Sequence, residues 1–297
     1  MKLTNKYNLP LPLVEAIAND TYNAPRRPRS ISVTTLFKPP KIVALERKHH
    51  DELEVDAIDS IWSLIGQSVH TILERANKSD IVEKRFGVEH NGWYINGQLD
   101  SFTLHDGLLR DWKTTSAWVV VRSSKEDDWA RQLNVYAWLL RKAGLKPKAL
   151  EVVAIIRDWS KREAARNPDY PQKQVEVISL PLWDDARVEA FINTRLALHE
   201  AAETALPDCT DEERWCKPAK YAVMKDGRKS AVKLCDSEHE AKEFIRVSGK
   251  PGEKLRVDLR RAEAVRCASY CSVSAFCPQW AADPNNTPPP ADLIIDI

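Results

Sequence analysis

Gly97-Gln98-Leu99-Asp100 and Asp111-Trp112-Lys113 frame the stretch that decides this fold, with His105-Asp106-Gly107 between them. The turn-forming triplet is flanked by two β-favouring runs, Tyr94 to Leu104 and Leu108 to Thr115, and the whole reads as a hairpin. Folding the second run back sets Asp111 within a residue or two of the position opposite Asp100. Side chains alternate along a strand, so Asp111 and Lys113 share a face while Trp112 points to the other. Two carboxylates beside one ammonium on a rigid sheet could hold a hard divalent cation and a phosphate together, as cleavage of a phosphodiester requires.

Helical patterns lie on both sides of this hairpin. From about Glu52 to Asn77, Ile58, Ile61, Trp62, Ile65, Val69, Ile72, Leu73 and Ala76 recur at helical spacing. A second helix is expected from roughly Asp127 to Ala143, stopped by Gly144-Leu145-Lys146-Pro147. Strand-like runs follow at Leu150 to Arg157 and Val175 to Leu182, and a long helix from about Asp184 to Ala205 closes the main body. The expected fold class is α/β: a mixed central sheet flanked by helices.

Composition bounds the class. The chain has 297 residues, 43% of them hydrophobic and 29% charged, as in an ordinary globular protein large enough for one core and a small second module. No apolar run suffices to cross a bilayer, and the first residues lack a secretory pattern, so no membrane partner is expected. Six cysteines without an export signal point to a reducing, cytoplasmic compartment rather than a disulfide framework. A net charge of +1 gives no global attraction to nucleic acid, so any such surface must come from local clustering.

Four short motifs occur in order. Gly66, His70 and Glu74 form one stripe on the first helix; then come Gly97-x2-Asp100 and Asp111-x-Lys113; Gln132 and Tyr136 share a face of the second helix. Each has a bland reading. A lone His70 is more often a hydrogen-bonded helix histidine, Asp100 a ladder residue, Lys113 a solvated lysine, and Tyr136 a packing residue. Their conjunction resembles the RecB-type branch of the PD-(D/E)XK nuclease superfamily over about residues 55 to 200, including phage-encoded and iron–sulfur-containing members.

The resemblance implies a restriction-endonuclease-like core and a metal-dependent DNA nuclease, most often an exonuclease acting in recombination, repair or phage DNA processing. It implies His70, Asp100, Asp111 and the backbone carbonyl of Trp112 as metal ligands, with Mg²⁺ bound and Mn²⁺ a good substitute. Lys113 is then the catalytic lysine, and Gln132 and Tyr136 position the DNA backbone. Asp111 stands where many members carry Glu. Glu83 and Glu89 are candidates for a further acidic ligand. Ser32-Val33-Thr34-Thr35-Leu36 and Lys220-Tyr221-Ala222-Val223-Met224-Lys225 also resemble phage-encoded nucleases. DNA is the expected partner, with a recombinase or single-strand annealing protein as a second. The rival readings are a catalytically silent DNA-binding or assembly protein on this fold, and an RNA-cleaving nuclease.

Past Pro207 the character changes. Residues 214–266 carry fifteen Lys/Arg against eight Asp/Glu. Two alternating runs around Asp226-Gly227-Arg228-Lys229, a helix from Ser237 to Val247 and a strand from Lys254 to Leu259 read as a ββαβ module. Lys225, Arg228, Lys229 and Lys233 crowd its hairpin; such runs are usually solvated faces, but on a nuclease they are candidate contacts to DNA phosphates. Trp118 and Trp129 are candidates for base stacking. Cys267, Cys271 and Cys277 fall close together, with Cys209 favoured over Cys216 and Cys235 as a fourth ligand. By resemblance the set implies a structural [4Fe–4S] cluster; Zn²⁺ and free thiols remain alternatives. The expected organisation is an N-terminal arm and lead-in at 1–50, a nuclease core at 51–206, the basic module and cysteine segment at 207–281, and a Pro-rich tail at 282–297.

Overall fold

The computed structural model describes residues 2–19, 27–76, 81–250 and 252–286. Arg26 of the basic N-terminal knot, Asn77 and the Leu293-Ile294-Ile295 run lie outside these. The chain divides into two compact units, residues 1–38 with 54–204, and 39–53 with 205–297.

In the first unit β1 (Lys2–Thr4), α1 (Leu11–Ala18), β2 (Ser30–Ser32) and α2 (Val33–Phe37) come first; α3 (Pro40–Lys48) belongs to the second unit. The segment expected as an irregular arm therefore contains ordered elements. Ser32 caps α2 by accepting the Thr35 N–H, and Val33 and Leu36 are buried without residue. The chain returns through β3 (Glu54–Asp56), which pairs parallel with β1. Asp56 then caps a 3₁₀ turn, so the first long helix, α4, spans Ile61–Ala76 and begins later than its apolar periodicity predicts.

The central sheet follows. β4 (Ile81–His90), β5 (Trp93–Thr103) and β6 (Leu108–Thr115) form an antiparallel meander. A crossover through α5 (Ala117–Val121) and α6 (Glu126–Lys142) delivers β7 (Ala149–Ile156) parallel to β6. After α7 (Lys161–Arg166), β8 (Val175–Leu180) pairs antiparallel with β7, and β2 adds parallel to β5, giving six strands. The architecture is the expected mixed sheet flanked by helices.

Helix α6 is buried nearly all round: Leu133, Val135, Ala137, Trp138 and Leu140 have no appreciable exposure. Truncating Leu133 to alanine there should cost about 2–5 kcal/mol. Asn134 on the same helix donates to the carbonyls of Ala130 and Pro181 and accepts the Trp183 N–H, so its burial leaves no polar group unpaired. α8 (Asp185–Thr204) contributes Val188, Ile192, Leu196 and His199 at helical spacing. From it Arg195 donates to the carbonyls of Leu36 (2.9 Å) and Lys38 (2.7 Å), satisfying the C-terminal end of α2.

In the second unit α9 (Asp211–Arg214) and β9 (Cys216–Lys217) precede β10 (Lys220–Lys225), β11 (Lys233–Cys235), α10 (Glu238–Ser248) and β12 (Leu255–Arg260). β10 is the centre of a three-stranded antiparallel sheet, the expected ββαβ arrangement. β13 (Glu263–Ala264), α11 (Val265–Ser269) and α12 (Pro278–Ala281) end the described chain. Ile42, Leu45 and Leu53 from the α3 segment form an apolar cluster with Val273 and Cys277, which is why that segment groups with the C-terminal residues. Among the described residues no helix is long and apolar enough to cross a membrane.

Candidate metal and nucleic-acid site

Two turns bring three acids into line. Asn91 and Gly92, both at positive φ, close the β4–β5 hairpin and set His90 opposite Trp93. The same register sets Glu83 opposite Asp100. On the other side β5 pairs with β6 through Ser101–Arg110, so the next step places Asp100 opposite Asp111. Residues opposite one another in neighbouring strands share a face. Glu83, Asp100 and Asp111 therefore form one row across three strands.

Helix α4 supplies the imidazole. His70 Nδ1 lies 3.0 Å from Glu83 Oε1 and 3.6 Å from Asp100 Oδ1. Ligand atoms of His70, Glu83 and Asp100 all fall within 4.8 Å of one another. The second Asp100 oxygen accepts the backbone N–H of Trp112 at 2.7 Å, and Gln98 Nε2 donates to Glu83 Oε2 at 2.9 Å. Lys113 Nζ lies 2.7 Å from Asp111 Oδ2, a buried oxygen that no other donor reaches among the described residues.

The charges perturb one another. Burial, reinforced by the neighbouring Asp111 carboxylate, pushes Asp100 up to about 7, against the pull of His70 and Lys113. The Glu83 hydrogen bond raises His70, opposed by burial and helped by Asp100. Burial works against ionised Glu83, but hydrogen bonds from His70 and Gln98 outweigh it and hold the carboxyl below its usual range. Lys113 is depressed by burial yet lifted further by Asp111 and Asp100, so its ammonium is kept. Oxygen donors from Glu83 and Asp100 with the His70 imidazole lie close enough together to hold a divalent cation, whereas Asp111, paired with Lys113, is not part of that tight group.

The second pair of motif residues lies on α6. Gln132 Nε2 is 3.4 Å from Tyr136 Oη. A Cβ at Gly97 would come 2.4 Å from Tyr136 Cε1 and 2.8 Å from Val33 Cγ2, so this glycine is required by close packing. The Gly97–Asp100 motif, the α6 motif and the Ser32–Leu36 segment thus meet at one backbone position. Glu74 is exposed, and Glu89 is exposed opposite Tyr94, away from the acidic row.

Elsewhere the placements differ in kind. Trp129 is only 7% exposed and offers no face to a base, whereas Trp118 is 53% exposed. Lys225 pairs with Glu253 at 2.7 Å and Lys233 with Glu240 at 3.0 Å; Arg228 Nε donates to Ser230. Lys229 is exposed. Gln279, just past Cys277, grips the backbone of Cys209 from both sides, accepting its N–H (2.9 Å) and donating to its carbonyl (3.0 Å). The buried Lys41 ammonium braces that arrangement through Asp208 (2.6 Å) and Gln279 (3.2 Å). Burial pushes the Cys209 thiol up to about 12 and also raises Cys271. The cysteine sulfurs do not form a group as tight as the His70 site.

The profile of the PD-(D/E)XK nuclease superfamily matches residues 41–278. No curated protein matches the chain. Among solved structures, SSO0001 is 18% identical with a TM-score of 0.44, the match covering 64% of this chain and 85% of that one. A phage related exonuclease from Haemophilus somnus 129PT is 12% identical with a TM-score of 0.29, covering 56% of this chain and 72% of that one.

Proposed function

The chain belongs to the PD-(D/E)XK nuclease superfamily, and from that premise we propose a metal-dependent deoxyribonuclease of the RecB-type branch. Its reaction is hydrolysis of DNA phosphodiester bonds, as an exonuclease in recombination, repair or phage DNA processing in the cytoplasm of a bacterial or phage-infected cell. The observation that carries the reading is the row Glu83–Asp100–Asp111, with His70 at one end and Lys113 at the other.

His70, Asp100, Asp111 and the Trp112 carbonyl would hold the cation, with Glu83 beside His70 and Asp100 in the same group. When bound there, a divalent cation would supply positive charge against the phosphate and departing 3′ oxygens and would acidify a water. Lys113 keeps its proton beside the acids, so its ammonium faces the scissile phosphate, orients the attacking water and balances the growing negative charge. The Trp112 N–H fixes one Asp100 oxygen and leaves the other toward His70. Gln132 and Tyr136 position the DNA backbone. Lys225, Arg228, Lys229 and Lys233 bind further phosphates, and a recombinase or single-strand annealing protein is the proposed partner.

Cys209, Cys267, Cys271 and Cys277 are the proposed ligands of a structural [4Fe–4S] cluster, with Zn²⁺ as the alternative. The Gln279 grip on Cys209 supports its inclusion. Anaerobically purified protein with an iron-type absorption band near about 400 nm favours the cluster; colourless protein containing stoichiometric zinc favours the alternative.

The activity test is incubation of linear and circular DNA, and of RNA, with Mg²⁺ or Mn²⁺ beside a Lys113→Ala control. Loss of linear DNA alone supports an exonuclease. Binding without cleavage under either metal would replace the enzyme reading with a silent assembly protein, and cleavage of RNA alone would redirect the substrate.

A further inference from the structure

Two exposed tryptophans are tied, through neighbouring residues, to the end of the strand that carries Lys113. Trp62 on α4 is 57% exposed and Trp118 on α5 is 53% exposed. Each ring has a guanidinium over it: Arg157 lies 4.3 Å from the Trp62 centroid, and Arg122 lies 5.4 Å from that of Trp118. Both pairs are tied to one junction. The Arg157 N–H donates to the carbonyl of Thr115, the last residue of β6, at 2.9 Å. The Ala117 N–H, next to Trp118, donates to Asp158 at 2.7 Å. Lys113 lies two residues before Thr115 on the same strand.

Burying an aromatic ring is strongly favourable, so a large ring left in water is informative when it recurs in a specific setting. A lone exposed tryptophan beside an arginine is a common surface event. Two such pairs at the end of one strand, next to a cluster of acids and a lysine, form a surface with flat apolar faces and fixed positive charge. Single-stranded nucleic acid has the matching chemistry, π faces on the bases and anionic phosphates between them. An apolar protein surface would find the guanidinium groups in its way.

We propose that Trp62 with Arg157 and Trp118 with Arg122 are stacking platforms for unpaired bases of a DNA strand next to the scissile phosphate. This rests on the nuclease reading, since it assigns the strand that the site would cut. The rings hold bases, the arginines pair with adjoining phosphates, and none of the four residues touches the reacting atoms.

The test is fluorescence anisotropy on the full chain carrying Lys113→Ala, with a labelled thymidine oligonucleotide and an abasic one of equal length. The thymidine strand should bind at least about thirtyfold more tightly, and Trp62→Ala and Trp118→Ala should each lower that preference by at least about fivefold while leaving abasic binding unchanged. Trp62→Phe and Trp118→Phe should retain it, and circular dichroism of all four variants should match the parent. Equal binding of the two strands, or alanine variants that keep the preference, overturns the proposal. So does loss of self-association in Trp62→Ala with unchanged DNA binding, which would mark the surface as a contact between copies. A wild-type protein that cleaves nothing but prefers bases would sink the nuclease reading alone; cleavage without base preference would sink this one alone.

Discussion

Glu83 stands opposite Asp100 across the β4–β5 ladder with a φ of 46°, and the backbone pairing skips that step between Val82–Ser101 and Lys84–Leu99. A non-glycine residue held in the left-handed region stores about 1–3 kcal/mol and persists where its surroundings fix it. Here hydrogen bonds from His70 and Gln98 hold the carboxylate on the site side. Glu83→Gln keeps the shape but weakens the pull on His70. Its affinity for Mn²⁺, measured by calorimetry, should fall by about 10–100-fold. Unchanged affinity would remove Glu83 from the site.

Gly97 and Tyr136 couple two motifs that are far apart in sequence. Gly97→Ala introduces a methyl against the Tyr136 ring and Val33, and should destabilise the fold by about 1–3 kcal/mol in denaturant titrations. Adding Tyr136→Ala frees the space, so the double variant should lose less than the two single losses combined. Additive losses would mean that the ring does not press on Gly97.

Much of this site is legible in the chain. Side-chain alternation and the His105-Asp106-Gly107 turn are enough to put Asp100 beside Asp111. From sequence Glu83 is one of two equal candidates beside Glu89, because an isolated glutamate on a strand carries no mark. The sequence marks it through Asn91-Gly92: an Asn-Gly pair fixes a two-residue hairpin, and counting back from it sets residue 83 opposite residue 100. The grouping of α3 with the cysteine segment had no local signal, since Ile42 and Leu45 meet Val273 and Cys277 only through long-range packing. Trp129 shows the converse limit. Its helix is buried nearly all round, so no polar face marks which aromatic is accessible.

Metal should stabilise the folded chain through the same residues. At a concentration about 100 times its dissociation constant, a ligand specific for the native state adds about 2.7 kcal/mol. Mn²⁺ should therefore raise the melting temperature of chelator-treated wild-type protein. Asp111→Asn removes one of the proposed anionic ligands and should abolish most of that rise. An equal rise in the variant would place the stabilising ion elsewhere.

Trp215 ends α9 at φ 55° and ψ 46°, and its N–H donates to the carbonyls of Asp211 and Glu212. Glycine is the usual residue at such a helix end, because a Cβ in the left-handed conformation costs about 1–2 kcal/mol. The ring partly offsets this, lying 5.6 Å from Tyr270 and 4.9 Å from the Arg266 guanidinium. Trp215→Ala loses the ring and keeps the strained Cβ, whereas Trp215→Gly loses both. Comparing the two variants isolates the backbone cost from the ring contacts. The glycine variant should be the more stable of the pair by about 1 kcal/mol in urea titrations. An alanine variant as stable as the glycine one would mean that the turn relaxes out of the left-handed region once the ring is gone, and that the Tyr270 and Arg266 contacts impose it.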